Sequence, residues 1–236
     1  MEKQNNSWQI NGLQWNDPRC IHTPLELLDY IEKVGFLPLF QNKIKGFSVE
    51  ELTATESWWS GDSKADPWLW RIDLVRTGRV AYGKFFDKKA GFIAKDWFPV
   101  FSNYRRDGYD FDSLYEEGLA KRRCKLIMDL YENHAIISSV DMKEKAGFGK
   151  NGEKNFNGIL TELQMQLYLT VQDFQRKRSK KGVEYGMHIG YYAMPEEKWG
   201  YDFVTSCYKE DPKESKAKIV NHMMELYSLN KDTFTI

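Results

Sequence analysis

The chain has 236 residues, enough to bury one large hydrophobic core or two smaller ones. Aromatic residues make up 15% of it, which excludes a chain that is disordered throughout. The 34 Lys and Arg residues balance the 34 Asp and Glu residues, so the whole molecule exerts no net attraction on a polyanion. Residues 119–190 nevertheless contain 13 basic and 8 acidic residues, a local balance of +5.

The cysteines and the first residues bear on the cellular compartment. Cys20, Cys124 and Cys207 are far apart and odd in number, without the Cys or His spacing of a zinc site. The first residues lack the apolar segment of a signal peptide, and no run of about 18 apolar residues occurs. We therefore expect a cytoplasmic protein with no metal or other cofactor and no membrane contact.

The first predicted elements are an arm and a helix. Residues 1–23 are polar and form an N-terminal arm that packs through its two tryptophans. A helix then begins at Pro24, after the capping residue Thr23, and ends at Gly35, with apolar residues at helical spacing between them.

Residues 24–106 are predicted to form a first winged-helix-like unit. Ser48 and Glu51 have the spacing of a capping box that starts a short helix. Alternating apolar residues on both sides of residues 88–91 predict a hairpin, and the sequence Asp-Trp-Phe-Pro from Asp96 opens another helix. Four tryptophans of this unit offer surfaces for base stacking, but beside a proline and an arginine they are more typical of a packed small core. These are Trp58, Trp59, Trp68 and Trp70.

The second half of the chain is predicted to contain a linker, a second unit and a helical extension. The linker is the turn-rich segment 107–118, and residues 119–194 form a winged helix-turn-helix. Its signals are a helix with a basic outer face, a short helix capped by Ser138, a helix with an apolar stripe over 156–167, and two strands. Residues 195–236 add a C-terminal helix. The expected fold class is α+β, mostly helical, with two winged-helix-like units that each carry a β-hairpin wing.

The hairpin of the second unit carries five cations within six residues. At the tip of a wing beside a recognition helix, such side chains can bind the phosphates of double-stranded DNA, together with Lys121 and Arg122 of the basic helix. Charges also protect the edge of a hairpin from aggregation, so a solvated turn is the alternative. The five cations are Arg176, Lys177, Arg178, Lys180 and Lys181.

Two glutamines lie in the predicted recognition helix. Glutamine can hydrogen-bond adenine, so Gln164 is a candidate nucleic-acid contact. At about 100° per residue, Gln164 and Gln166 diverge by about 160° and cannot act on one substrate atom. The plainer interpretation places them as polar residues beside the apolar stripe. Met165 then faces outward, which favours a protein contact.

Five stretches of the sequence resemble a group of bacterial proteins described as AlkZ-related, and the resemblance covers nearly the whole chain. They are WWSGDSKADPWLWR, FPVFSNYRRDGYDF, FGKNGEKNF, LTELQMQLYL and EEKWGYD. More distantly, VAYGKFFDKKAGFIAKDWFPVF resembles the segment after the first winged helix in the tandem winged-helix DNA glycosylases of the AlkZ type, which excise alkylated and crosslinked bases. The resemblance implies two winged helices and a link to DNA repair.

The catalytic motif of those enzymes is not matched. They carry Gln-x-Asp or Gln-x-Gln shortly after a glycine that closes an N-terminal helix. The matching glycine is Gly35, so Pro38 and Phe40 occupy the motif positions, and neither side chain can orient a water molecule. Gln164-Met165-Gln166 has the letters of the motif but lies in the second unit.

The resemblance therefore implies a protein that binds double-stranded nucleic acid without the glycosylase motif, with no catalytic residue assigned. Two alternatives stay open. One is a DNA glycosylase that acts on alkylated bases through other acidic residues. The other is a non-enzymatic interaction module that forms a homodimer or binds a different protein.

Overall fold

The computed structural model describes residues 9–179 and 181–228. The α-helices are α1 (Pro24–Val34), α2 (Pro67–Arg76), α3 (Phe98–Arg106), α4 (Phe111–Glu116), α5 (Arg122–Met128), α6 (Ser139–Lys145), α7 (Phe156–Met165), α8 (Pro195–Trp199), α9 (Tyr201–Val204) and α10 (Pro212–Tyr227). The strands are β1 (Phe36–Pro38), β2 (Val80–Phe86), β3 (Lys89–Ala94), β4 (Ile137–Ser138), β5 (Thr170–Arg178) and β6 (Glu184–Ala193). Short 3-10 turns occur at Glu50–Leu52, Thr55–Ser57, Lys95–Trp97 and Asp129–Glu132.

The strands form one antiparallel sheet in the order β1-β3-β2-β5-β6-β4. Each half of the sheet is built in the same way: a short strand pairs with the second strand of a hairpin, and the first strand of that hairpin lies at the centre. The halves meet where Tyr82 of β2 pairs with Val171 of β5. The fold is therefore α+β, and both hairpins belong to a single sheet.

Local signals in the sequence account for the helix ends. The Thr23 hydroxyl accepts a hydrogen bond from the backbone N–H of Glu26 at 3.2 Å. Gly35 ends α1 with φ of 85°, a conformation that favours glycine. The caps predicted at Ser48 and Ser138 are confirmed, because each hydroxyl accepts the N–H three residues later.

The first hairpin turns earlier than predicted. Its turn residues are Asp87 and Lys88, with φ of 47° and 63°, rather than residues 88–91. Aspartate tolerates the left-handed region better than most residues do, because its short polar side chain can bond locally. Gly91, which looked like the turn glycine, instead pairs with Gly83 inside the sheet.

The larger hydrophobic core surrounds the first half of the sheet. It contains side chains of α1 to α3 and β1 to β3. From much later in the chain it also takes Leu167, Val171, and Ile219 and Met223 of α10. The predicted C-terminal helix is present and completes this first core.

The second core is formed mainly by α4 to α7 beside the second half of the sheet. Phe111 and Leu114 of α4 are buried in it. Segment 107–118, predicted as a linker, thus contains a helix, which Asp110 caps by accepting the N–H of Ser113 at 2.8 Å. A helix of six residues carries too short an apolar pattern to be recognised from sequence. The predicted domain limits stay a prediction.

The helix that precedes each hairpin packs against the hairpin of the other half. On α2, Arg76 forms an ion pair with Asp173 of β5 at 2.8 Å and donates to the Phe174 carbonyl at 3.3 Å. On α7, Gln164 Oε1 accepts the backbone N–H of Lys84 in β2 at 3.0 Å. Each helix therefore has one side covered by the opposite half.

Two arginines of α3 fasten the chain between α7 and β5. Arg105 Nη1 donates to the Met165 carbonyl at 2.8 Å. Arg106 Nη2 donates to the Leu167 carbonyl at 2.6 Å, and its Nη1 forms a buried ion pair with Glu196. The end of α7 is thus held to the first core by buried charge-assisted hydrogen bonds.

Residues 9–22 of the predicted arm are described, whereas Trp8 lies outside the described residues. Trp15 is 47% exposed and contacts the ring of His22, with centroids 4.3 Å apart. Ile10 and Ile21, not this tryptophan, attach the arm to the core. Within the described residues, no helix combines the length and the apolar character needed to cross a membrane.

Candidate nucleic-acid interface and the adjoining cleft

We call the end of the β5–β6 hairpin, residues 175–185, the wing. Arg176, Lys177 and Arg178 of β5 are exposed, and so is Lys181 in the turn. Lys180 of the predicted group lies outside the described residues. The cations that the sequence predicted here are therefore accessible at every described position.

Some of these charges are paired. Arg178 forms an ion pair with Glu184 across the hairpin at 3.0 Å. Among the described residues, Arg176 and Lys177 have no carboxylate within ion-pair distance. Unlike Arg178, these two side chains can take up phosphate contacts without first losing an ion pair.

The other strand of the hairpin exposes apolar side chains. Val183 and Tyr185 are more than half exposed, and Met187 is 84% exposed. Exposed apolar side chains are typical of contact surfaces when they form a patch. The hairpin thus combines cations on β5 with apolar side chains on and next to β6.

A cleft of about 950 Å³ separates the wing from α2, and we call it the wing cleft. Leu69, Asp73 and Arg76 of α2 form one wall, and residues 173–178 of β5 form the other. The unpaired cations of the wing face a helix of the opposite half of the sheet across this cleft.

Lys121 and Arg122 lie elsewhere. Lys121 pairs with Glu162 of α7 at 2.6 Å, which raises the pKa of the lysine. Arg122 pairs with Glu153 at 2.6 Å and lines a cleft beside the 145–154 segment. That cleft shares no lining residue with the wing cleft, and a phosphate contact at Lys121 or Arg122 stays a prediction.

Gln164 does not face solvent. Its side chain is 2% exposed, and its Nε2 donates to the Leu160 carbonyl at 3.0 Å while Oε1 holds Lys84. Met165, predicted to face outward, accepts the backbone N–H of Lys88 at Sδ, 3.2 Å away. The β2–β3 hairpin covers this side of α7, which the sequence pattern of α7 alone does not reveal. We therefore withdraw Gln164 from the candidate nucleic-acid contacts.

A second cleft of about 630 Å³ adjoins the wing cleft, since Phe174 and His188 line both. We call it the Arg71 cleft. Phe40 lines it, whereas Pro38 is buried in β1 opposite Gly91. Phe40, which occupies one of the two positions of the unmatched polar motif, thus borders this cleft with an aromatic ring.

Arg71 is the unusual charge of this cleft. Its residue is 4% exposed, and the guanidinium lies 3.6 Å from the centre of the Trp68 ring and 4.6 Å from that of Phe174. Burial lowers the pKa of Arg71, and Nη1 has no hydrogen-bond partner among the described residues. An arginine keeps its charge under these conditions, so an unpaired buried cation borders the cleft.

Glu50 lines the same cleft. It is 3% exposed, and its two carboxylate oxygens accept the backbone N–H groups of Asn11 at 2.8 Å and Gln41 at 2.9 Å. Its own N–H donates to the Leu39 carbonyl at 3.0 Å. Glu50 is therefore a fixed carboxylate directly beside segment 39–41, which follows β1.

His188 stands between the two clefts and is half-buried. Burial lowers its pKa, and the positive charges of Arg176 and Arg71 lower it further. The imidazole is consequently neutral near pH 7, and an anion bound nearby favours its protonation.

The remaining candidates have structural roles. Trp58 and Trp70 are buried, which confirms the packed small core for these two tryptophans. Among the described residues, no group of three or more His, Cys, Asp and Glu side chains is arranged to hold a metal. The three cysteines are free thiols.

No sequence pattern singled out Arg71, Glu50 or His188 as a site residue. Arg71 follows a Trp-x-Trp pattern on α2, and an arginine within an apolar helix face was the one available signal. Glu50 and His188 carry no local signal, since the cleft exists only after β2 pairs with β5.

A family model described as AlkZ related matches residues 21–235. The match spans both halves of the sheet and α10. No curated protein and no solved structure matches the chain.

Proposed function

The chain belongs to the AlkZ-related family, and from this premise we propose that it binds double-stranded DNA through the wing, in a role connected with DNA repair. The observation that carries the proposal is the pair of exposed, unpaired cations Arg176 and Lys177 on a hairpin that extends from the core. Cations so placed release counterions from DNA when they neutralise phosphates, which is the main source of non-specific affinity.

We further propose that the two halves of the sheet are winged-helix-like units. The repeated order of elements supports this. A helix, a short strand, one or two short helical segments, a second helix and a hairpin follow one another from α1 to β3, and the same order, with one added 3-10 turn, recurs from α5 to β6. In such units the helix before the hairpin commonly enters the major groove. Here α2 and α7 are partly covered by the opposite hairpin, so we assign the main DNA contact to the wing instead.

The test is the affinity for a short labelled duplex at several salt concentrations. Changing Arg176→Ala and Lys177→Ala together is expected to reduce the slope of log K against log salt by about 2, since each phosphate contact contributes roughly 0.9. The matched control is Lys209→Ala with Lys213→Ala, two exposed lysines near the start of α10. The control is expected to keep the slope of the wild type.

Two results would contradict the proposal. One is failure of the wild type to bind the duplex at low salt, and the other is the full slope in the wing variant. Self-association or partner binding that is insensitive to salt would support the interaction module, whose basis is exposed Val183, Tyr185 and Met187.

Glu50 supports a second candidate function, a glycosylase acting on alkylated bases. A buried carboxylate beside the β1 strand can stabilise a developing sugar cation or orient a water molecule, the work that Pro38 and Phe40 cannot do. On this proposal the wild type releases alkylated bases from a duplex, and Glu50→Gln slows release by about a hundredfold or more. Glu56→Gln, an exposed control on the same loop, leaves the rate unchanged. Absence of base release by the wild type rules this candidate out.

A further inference from the structure

Arg71 is a buried cation of the Arg71 cleft, and the negative charge of Asp66 favours its charged form without forming an ion pair with it. Removing a guanidinium from water costs several kcal/mol, and proteins usually offset that cost with a carboxylate in direct contact. Among the described residues, no ion pair involves Arg71, and its buried Nη1 is unpartnered. We propose that this cleft binds a phosphate group through Arg71.

The aromatic contacts of Arg71 orient its donors. The guanidinium is planar, and the Trp68 and Phe174 rings lie within 4.6 Å of its centre. Contacts with aromatic rings hold the plane of a guanidinium while its N–H groups point outward at the edge. That edge matches two oxygens of a phosphate, which arginine commonly binds through parallel hydrogen bonds.

The charges around the cleft favour a phosphate over a singly charged anion. Lys84, Lys88 and Lys89 of the β2–β3 hairpin line the same cleft. Glu50 is the acidic side chain of the lining, and both of its oxygens already accept backbone N–H groups. Four cations thus face one internally satisfied carboxylate, so the cleft best matches an anion of more than one negative charge.

Two kinds of molecule can supply the phosphate group. A duplex held by the wing would present a backbone phosphate, since the two clefts adjoin at Phe174 and His188; in this form the inference rests on the proposed function. A free nucleotide would present the same group without any duplex.

The experiment is calorimetric titration of the full chain with inorganic phosphate, with a mononucleotide and with acetate. The wild type is expected to bind phosphate and the nucleotide more tightly than acetate. Arg71→Gln is expected to weaken phosphate binding at least about tenfold, the loss typical of a charge-assisted hydrogen bond. Arg79→Gln, an exposed arginine paired with Glu32, is the matched control and keeps the affinity.

A second variant tests the site if Arg71→Gln does not fold. Lys84→Gln with Lys89→Gln changes two exposed side chains of the same lining and is expected to weaken phosphate binding severalfold while the near-ultraviolet dichroism stays unchanged. No phosphate binding by the wild type, equal binding of acetate and phosphate, or unchanged affinity in a folded Arg71→Gln would each overturn the proposal. If Arg71→Gln is unfolded, unchanged affinity in the lysine variant overturns it.

Two further measurements separate the sources. Displacement of a bound duplex by the free nucleotide assigns the site to a backbone phosphate, and binding of both together assigns it to the free ligand. The wing variant Arg176→Ala with Lys177→Ala is expected to keep its affinity for inorganic phosphate. A failure of duplex binding therefore leaves the phosphate site standing, and a failure of phosphate binding leaves the wing standing.

Discussion

The β2–β3 hairpin turns at Asp87 and Lys88 and stays against α7, whereas the β5–β6 hairpin runs past α2 and ends in the exposed cations of the wing. Each hairpin pairs with a short strand on one side and with the first strand of the other hairpin on the other side, and each covers the helix that precedes the other. The difference lies in what each hairpin leaves uncovered. The first hairpin covers one side of α7, where the backbone N–H groups of Lys84 and Lys88 donate to Gln164 and Met165. The second hairpin leaves an open cleft beside α2. One arrangement of strands therefore supplies a closed contact in one half and a binding surface in the other.

The largest predicted loss of stability follows from removing Arg106, which links the two halves. Arg106→Met leaves Glu196 buried without its partner and removes the bond to the Leu167 carbonyl. Breaking a buried ion pair in this way costs about 3–5 kcal/mol of unfolding free energy. Chemical denaturation measures the loss. Arg19→Met, at an exposed ion pair with Asp17, is the control and is expected to leave the midpoint unchanged.

An Arg106→Met protein with the stability of the wild type would mean that the two halves do not depend on this buried link. Each half of the sheet would then have to be treated as a unit whose stability does not depend on the other.

The closed contact on α7 is tested at Gln164. Gln164→Ala leaves the partly buried N–H of Lys84 without its acceptor and empties a buried position, which is expected to lower the unfolding free energy by about 1–3 kcal/mol. Gln166→Ala changes a half-buried side chain on the same helix and is expected to have a much smaller effect. Thermal and denaturant unfolding of both variants gives the difference.

Equal stabilities of the two glutamine variants would contradict the covered position of Gln164. Loss of duplex affinity in a Gln164→Ala protein of unchanged stability would restore this residue as a DNA contact.

The smallest predicted effect concerns the open cleft of the second half and is a shift in the pKa of His188. Burial and the charges of Arg176, Arg71 and Arg76 lower its pKa below the usual 6.5, with Glu184 acting in the opposite direction. The folded protein then binds fewer protons at this site than the unfolded chain, so the contribution of His188 to stability is full above pH 6.5. It declines as the pH falls from 6.5 through the lower folded pKa. Nuclear magnetic resonance titration is expected to show the lowered pKa directly.

Arg176→Ala is expected to raise the pKa of His188 toward 6.5, because one of the charges that oppose protonation is gone. Lys209→Ala is the control and leaves the titration unchanged. A His188 pKa that does not respond to Arg176→Ala would mean that the wing does not lie against the Arg71 cleft in solution.

Helix ends and hairpins were predictable because their signals are local. Thr23, Ser48 and Ser138 each act on the N–H three residues ahead, and Gly35 needs only its own conformation to end α1. The exposed cations of the wing were predictable for the same reason, since a polar hairpin end has no competing partner.

The covered side of α7 and the Arg71 cleft were not predictable from such signals. Gln164 and Arg71 take their environment from β2 and β5, which pair through Tyr82 and Val171 from distant parts of the chain. A polar residue on a helix side looks the same in sequence whether water or another strand covers it. The position of Arg71 between two aromatic rings depends on Phe174, which follows more than a hundred residues later.

The place of α10 in the first core also sets an order during synthesis. Side chains of α1 to α3 emerge from the ribosome well before Ile219 and Met223, which complete their core. The edge of β2 that faces the centre of the sheet likewise stays unpaired until β5 has been made. A nascent chain therefore carries uncovered apolar surface and an open strand edge until β5 and α10 have been made, the period in which chaperones protect such chains from aggregation.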